Sequence, residues 1–263
     1  MSALRSRANP RVRRWQRLVR NARARRDERC ALIEGPHLVA AYLDQGGRAK
    51  AILVSEDGLR RAEVAHLVQR AACEPVLLSD SVFRAIADTE APTGIAAEIE
   101  IREGGSRLEH SAGCVFLEGI QDSGNVGAII RSAAAFGVGD VVLARGCADA
   151  WSPKALRAGM GGHFAVGVLE DEDLAAALEH FGGKAICAVT RGGIPLPELD
   201  VGGRVGWIFG SEGRGVSEAL AARAAHRVTI PIAPGAESLN VAAAAAICLY
   251  EVWRQLSSGG APS

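Results

Sequence analysis

Apolar and polar positions alternate along this chain in two rhythms. Residues 9–26 set Val12, Trp15, Leu18 and Val19 at helical spacing, with arginines on many positions between. Cys30–Glu34 is a short strand-like run, and Gly35-Pro36 opens a helix through Leu43. The pattern then predicts a strand over 49–54, a helix over 59–70 and a strand over 75–78. A helix over 81–88 follows, with Ser79 or Asp80 as its cap, and a strand over 94–101. Residues 102–112 are polar and glycine-rich and read as a linker. Beyond it, strands are expected at 114–117, 140–144, 185–190, 204–209 and 227–231. Helices are expected at 126–136, after Ser152-Pro153, and at 172–180, 216–224 and 238–255. Alternating strands and helices predict an α/β chain. A small module spans 1–101, and a larger one with a mainly parallel sheet spans 113–257. No repeat of solenoid period is present.

Bulk composition adds little to this. At 263 residues, 48% hydrophobic and 23% charged, the chain has the balance of a globular protein with ample core. No apolar run approaches a membrane span. The cysteines at 30, 73, 114, 147, 187 and 248 include no C-x-x-C pair, which favours free thiols and a cytoplasmic setting. The six histidines form no metal-ligand spacing, so no metal is assigned.

Charge changes the picture. Formal net charge is zero, yet residues 1–30 hold eleven arginines against Asp27 and Glu28, +9 in all, which leaves −9 elsewhere. A basic arm on an acidic body points to nucleic acid. A solvated helix face and an Arg-rich transit peptide are the other readings. No secretory apolar segment lies near Met1.

Three polar segments fall at expected carboxyl ends of strands, where ligands bind in parallel sheets. The first runs from Gln121-Asp122-Ser123-Gly124-Asn125 to Arg131. Arg131 sits within an apolar helix, so it is expected to face a cleft or a carboxylate. The second is Gly210-Ser211-Glu212-Gly213-Arg214-Gly215. Its spacing fits neither dinucleotide nor P-loop fingerprints, which excludes a nucleotide-binding dehydrogenase. Glu212 would repel a phosphate. A tight turn with a solvated glutamate is the alternative. The third runs from Ile230-Pro231 to Ser238-Leu239-Asn240, just before an alanine-rich helix. Ser238 or Asn240 can cap that helix, and the alanines allow close packing.

Together and in this order, the three segments resemble the signature motifs of the SpoU/TrmH family of RNA ribose 2′-O-methyltransferases, in the SPOUT superfamily. The match spans about residues 114–255. Leu32-Ile33-Glu34-Gly35-Pro36-His37 and Pro92-Thr93-Gly94-Ile95 resemble the L30e-like substrate-binding domain that precedes it in many members. The resemblance implies S-adenosylmethionine as methyl donor, rRNA or tRNA as substrate, a homodimer and a trefoil knot. It assigns Asn125, Arg131, Glu212, Ser238 and Asn240 to the catalytic positions, and main chain near Gly210, Ile230 and Leu239 to the cofactor. Ser123 departs from the proline common in the first motif. A non-catalytic RNA-binding homologue is the rival from another class, and retention of all five polar positions argues against it. An enzyme methylating a base is a second rival.

A ribose hydroxyl is a poor nucleophile near neutral pH. Arginine is effectively always protonated. Arg131 is therefore either a transient base in a desolvated site or a group that stabilises the alkoxide or clamps a phosphate.

Overall fold

The computed structural model describes residues 2–101 and 108–258. In chain order the elements are α1 (Pro10–Arg20), α2 (Ala22–Glu28), β1 (Cys30–Glu34), α3 (Pro36–Asp44), β2 (Ala51–Ser55), α4 (Ala62–Arg70), β3 (Pro75–Leu78), α5 (Asp80–Ile86), β4 (Ile95–Glu100), β5 (Cys114–Glu118) and α6 (Ser123–Ala135). Then come β6 (Asp140–Ala144), α7 (Pro153–Gly159), β7 (Gly167–Glu172), α8 (Leu174–Phe181), β8 (Lys184–Ala188), β9 (Ile194–Pro195), β10 (Val205–Gly210), α9 (Glu218–Ala221), β11 (His226–Thr229) and α10 (Val241–Ser258). The described residues form two compact units. One holds the chain to residue 101 together with 151–164, and the other holds 108–150 and 165–258.

The first unit is built on a four-stranded sheet in the order β1-β4-β2-β3. β4 pairs antiparallel with β1 and β2, and β2 pairs parallel with β3. The expected single helix over 9–26 is two helices. Asn21 takes an extended conformation and its side chain accepts a bond from Ala24 N, so it ends α1 and caps α2. Val12, Trp15 and Leu18 are at most 1% exposed and pack with Leu53, Phe83 and Ile86. The basic arm read from the sequence is thus a core helix. Much of its charge is matched inside the unit. Arg14 donates both guanidinium ends to Glu98 at 2.9 Å and a third bond to Glu28. Arg17 pairs with Glu28, Arg5 with Glu56 and Arg23 with Asp27. Arg25 is buried and donates to the carbonyls of Leu18 and Val19 at the end of α1. Trp15 Nε1 also donates to Glu98, at 2.8 Å. Burial pushes the Glu98 carboxyl up, but the bonds from Arg14 and Trp15 outweigh it and hold the group below its usual range.

Residues 151–164 belong to the second module in the sequence reading, yet they pack in the first unit. α7 lies against β1, with Leu156 1% exposed. Arg157 pairs with Asp88, and Phe164 meets Tyr42 edge-on. Leu156 and Phe164 bury apolar surface there that a solvated loop would leave in water.

The second unit is a seven-stranded parallel sheet in the order β7-β6-β5-β10-β8-β11-β9. Successive residues of β5, Cys114 to Leu117, are all at most 1% exposed. Neighbouring side chains of a strand point to opposite faces, so both faces are covered. Phe116 and Ile208 pack with Leu174 and Phe181 of α8. α10 packs against α6 and β10. β7 and β9 were not expected. β7 ends in Glu170-Asp171-Glu172 and β9 has only two residues, so neither carries a strand signal.

Of the linker expected at 102–112, residues 102–107 lie outside the described residues. The remainder is fixed structure. Leu108 begins a single 3₁₀ turn and is buried against Phe116 and Phe181. Arg204 donates to the carbonyls of Leu108, Ser111 and Phe181.

Candidate active site

Because all seven strands run parallel, the segments after β5, β10 and β11 leave the sheet at one edge. Each is held by a local device. After β5, Asp122 caps α6: its Oδ1 accepts from Gly124 N at 2.6 Å and from Asn125 N at 3.3 Å. Ser123 is then the first helical residue, the position where proline is favoured. The aspartate cap preserves the turn without it. After β10, Gly215 N donates to Ser211 O at 2.8 Å and closes the glycine-rich loop. Glu118, the last residue of β5, accepts from Ser217 N at 2.7 Å and ties down the loop's far end. After β11, Asn240 caps α10, accepting from Ala242 N at 2.9 Å and Ala243 N at 3.3 Å. Asn240, not Ser238, is therefore the cap.

The three devices meet in one chain of hydrogen bonds. Asn240 Nδ2 donates to Asn125 Oδ1 at 3.0 Å, and Asn125 Nδ2 donates to Glu212 Oε1 at 2.6 Å. The direction is fixed by chemistry. An ionised carboxylate only accepts, so Asn125 must donate to Glu212. Its carbonyl then faces Asn240, which donates and turns its own carbonyl to the helix N-terminus. Residues 115 and 87 positions apart are thereby fixed against one another.

Two expected residues stand outside this network. Arg131 is exposed and makes no hydrogen bond or ion pair among the described residues. It lies six residues beyond Asn125 on α6, which places it roughly 120° around the helix and about 9 Å along it. Of the two expectations for it, a cleft or a carboxylate, the carboxylate is absent among the described residues. Ile129, Ile130 and Ala133 take the buried face, and Arg131 falls on the outer one. Ser238 is exposed and makes no side-chain bond among the described residues.

Sequence reasoning missed Glu118, Asp122 and Gln121. Gln121 donates to Gly146 O at 2.6 Å, and Ala148 N donates to Ile120 O at 2.7 Å, so the loop after β6 joins the first segment. A carboxylate closing an otherwise apolar strand was the signal for Glu118. Two thiols flank this edge. Burial pushes Cys147 up and Cys187 up to about 11, so both are protonated thiols at neutral pH. Among the described residues no group of three His, Cys, Asp or Glu could hold a metal.

The edge suits the cofactor that the resemblance implies. The main chains of Ile230, Ser238 and Leu239 make no hydrogen bond inside the described chain, so their N–H and C=O groups can meet a purine edge. Leu239 is 38% exposed and offers an apolar face. Gly210 allows the loop to fold back tightly: a β-carbon there would lie 2.0 Å from the carbonyl carbon of Gly215. Gly210→Ala is expected to push the loop out of position and weaken S-adenosylmethionine binding at least tenfold. Calorimetric titration of the cofactor checks this, and unchanged affinity would remove Gly210 from the binding edge.

Comparison with known proteins gives the same reading. The SpoU rRNA Methylase family matches residues 113–250, and the MRM3-like substrate binding domain matches residues 9–97. The chain is 34% identical over 254 residues to the 23S rRNA (guanosine(2553)-2′-O)-methyltransferase RlmP of Bacillus subtilis, covering 96% of this chain and 99% of that protein. It is 28% identical to a 23S rRNA (uridine(2479)-2′-O)-methyltransferase of Streptomyces viridochromogenes, over 95% of this chain and 92% of that one. Among solved structures, the SpoU methyltransferase AviRb from Streptomyces viridochromogenes, in complex with the cofactor AdoMet, has a TM-score of 0.84 at 26% identity, covering 95% of this chain and 99% of that one. AdoMet-bound rRNA methyltransferase from Sinorhizobium meliloti has a TM-score of 0.83 at 27% identity, over 97% and 98%. The chain belongs to the SpoU rRNA methylase family.

Proposed function

We propose that this chain is an S-adenosylmethionine-dependent methyltransferase that modifies a ribose 2′-hydroxyl of large-subunit ribosomal RNA, and that it works as a cytoplasmic homodimer. The observation that carries the reading is the Asn240–Asn125–Glu212 chain, which joins all three signature segments at the carboxyl edge. The two rRNA relatives described above are named for the 2′-oxygens of different nucleosides, a guanosine and a uridine. The element they share is the ribose.

The cofactor supplies a methyl group on a sulfonium and leaves as a neutral thioether. What remains for the protein is the acceptor. The network holds the Asn125 amide in one orientation, so it can position a ribose without reorganising. The acceptor oxygen takes the methyl group as its proton leaves to water. Arg131 is assigned to stabilising the charge that develops on that oxygen and to clamping the adjacent phosphate. This choice follows from the permanent charge of arginine.

The dimer is supported by an uncovered apolar stripe. Ile247, Tyr250, Trp253 and Leu256 of α10 are 41–50% exposed. Phe136, just beyond α6, contacts Tyr250 at 5.8 Å and Trp253 at 6.3 Å between ring centroids. A stripe of this kind marks a protein interface. A second copy seated on it covers the stripe, and Arg131 of the partner subunit can then complete a network that lacks a cation. Trp253→Glu is expected to yield a folded monomer by light scattering and circular dichroism, with methyl transfer lost. A dimer that survives the substitution would contradict this interface.

A further inference from the structure

We propose that Arg145, Arg191 and Arg214 form a phosphate-binding rim that seats the RNA backbone over the methyl-transfer site. The proposal rests on the methyltransferase reading and goes past it by naming the residues that hold the nucleic acid.

All but three of the 30 basic residues, Lys50, Lys154 and Lys184, are arginine. Guanidinium groups pair in two parallel bonds with carboxylates and with phosphates alike. Among the described residues of the second unit the arginines divide cleanly. Arg204 is held by three backbone carbonyls. Arg223 pairs with Glu179, Arg227 with Glu218 and Arg254 with Glu251. The other four are Arg131, Arg145, Arg191 and Arg214. All four are exposed and make no side-chain hydrogen bond or ion pair among the described residues.

Three of these four share one edge. Arg145 immediately follows β6, Arg191 is three residues beyond β8, and Arg214 is four beyond β10. The strands are parallel and lie in the order β6-β5-β10-β8, so the three positions span three strand spacings, roughly 14 Å. Two of the loops are part of the site. The Arg145 loop is bonded to the first segment through Gln121 and Ile120. The Arg214 loop carries Glu212, whose carboxylate is engaged by Asn125. The third, after β8, flanks the Arg214 loop. The chain has 30 acidic residues for its 30 basic ones, so these cations do not lack partners for want of carboxylates. Phosphates of the substrate RNA supply the missing partners, and such contacts fix register without reading bases.

The test is filter binding of a 23S rRNA transcript to the full chain between 50 and 200 mM salt, with methyl transfer from labelled S-adenosylmethionine measured on the same samples. Each phosphate contact to flexible RNA contributes roughly −0.7 to the slope of log K against log salt. Arg145→Ala/Arg191→Ala/Arg214→Ala is therefore expected to flatten the slope by about 2 and weaken binding roughly a hundredfold at 0.1 M salt. S-adenosylmethionine binding should stay as in the wild type, which also shows that the variant folds. Arg223→Ala/Arg254→Ala, which removes two paired cations of the same unit, should leave the slope unchanged. An unchanged slope in the triple variant, or an equal fall in the paired control, overturns the rim. Absence of ribose methylation by the wild type, with RNA bound and the triple variant's slope flattened, overturns the methyltransferase reading and leaves the rim standing.

Discussion

Arg131→Ala abolishes methyl transfer and leaves S-adenosylmethionine affinity unchanged: that is the expected result with the largest effect. Arg131 is exposed and makes no side-chain hydrogen bond or ion pair among the described residues, so removing its guanidinium opens no cavity and leaves no buried group unpaired. Its loss should therefore appear in kcat. Removing a group that stabilises developing charge costs roughly 10²–10³-fold. Arg131→Lys should recover only part of this, because an ammonium lacks the planar fork. Mixing subunits separates the two possible geometries. If each site takes Asn125 from one chain and Arg131 from its partner, Arg131→Ala subunits mixed with Asn125→Ala subunits regain up to about a quarter of wild-type turnover. Half the dimers are then mixed, and each holds one intact site. No recovery in dimers shown to exchange would place Arg131 in the site of its own chain. Loss of cofactor binding by Arg131→Ala would overturn the assigned role.

Deleting residues 1–26 unfolds the first unit; it does not merely lower its charge. The deletion removes Val12, Trp15, Leu18 and Val19 from the core and exposes their partners Leu53, Phe83 and Ile86. It also strands Glu98, whose side chain is 7% exposed, without Arg14 or Trp15. A single change, Trp15→Ala, is expected to cost about 3–5 kcal/mol. Urea unfolding of the full chain measures it, and a loss under 1 kcal/mol would show that α1 is peripheral after all. The same network gives a pH signature. The folded Glu98 carboxyl sits below its unfolded value, so its contribution is present above the unfolded pKa and is lost as pH falls through the folded one. Acid should therefore loosen this unit, and Glu98→Gln should blunt that sensitivity.

The sequence displayed the strand–helix rhythm and the three segments because both are written in local patterns. The order of the sheet and the bonds between segments are not local. Nothing in the spacing shows that Asn125 lies between Glu212 and Asn240. The N-terminal helix carries two signals at once: its charge stands out, and the Val12–Trp15–Leu18–Val19 stripe is the mark of a buried face. Of its acidic partners, Glu28 is near in the chain, and Glu98 becomes visible only when the sheet is formed. Arg131 is the opposite case. Its apolar neighbours suggested burial, but Ile129 and Ile130 point inward while Arg131 points out. β7 was hidden by three acidic residues at its end, since edge strands of a sheet tolerate charge.

Methyl transfer to a ribose is directly measurable. The most direct measurement is incubation of the purified full chain with labelled S-adenosylmethionine and ribosomal RNA from a strain lacking the protein, followed by digestion to nucleosides. Label is expected in a single 2′-O-methylnucleoside. Label in a methylated base, or cofactor binding without transfer to any RNA, would contradict it.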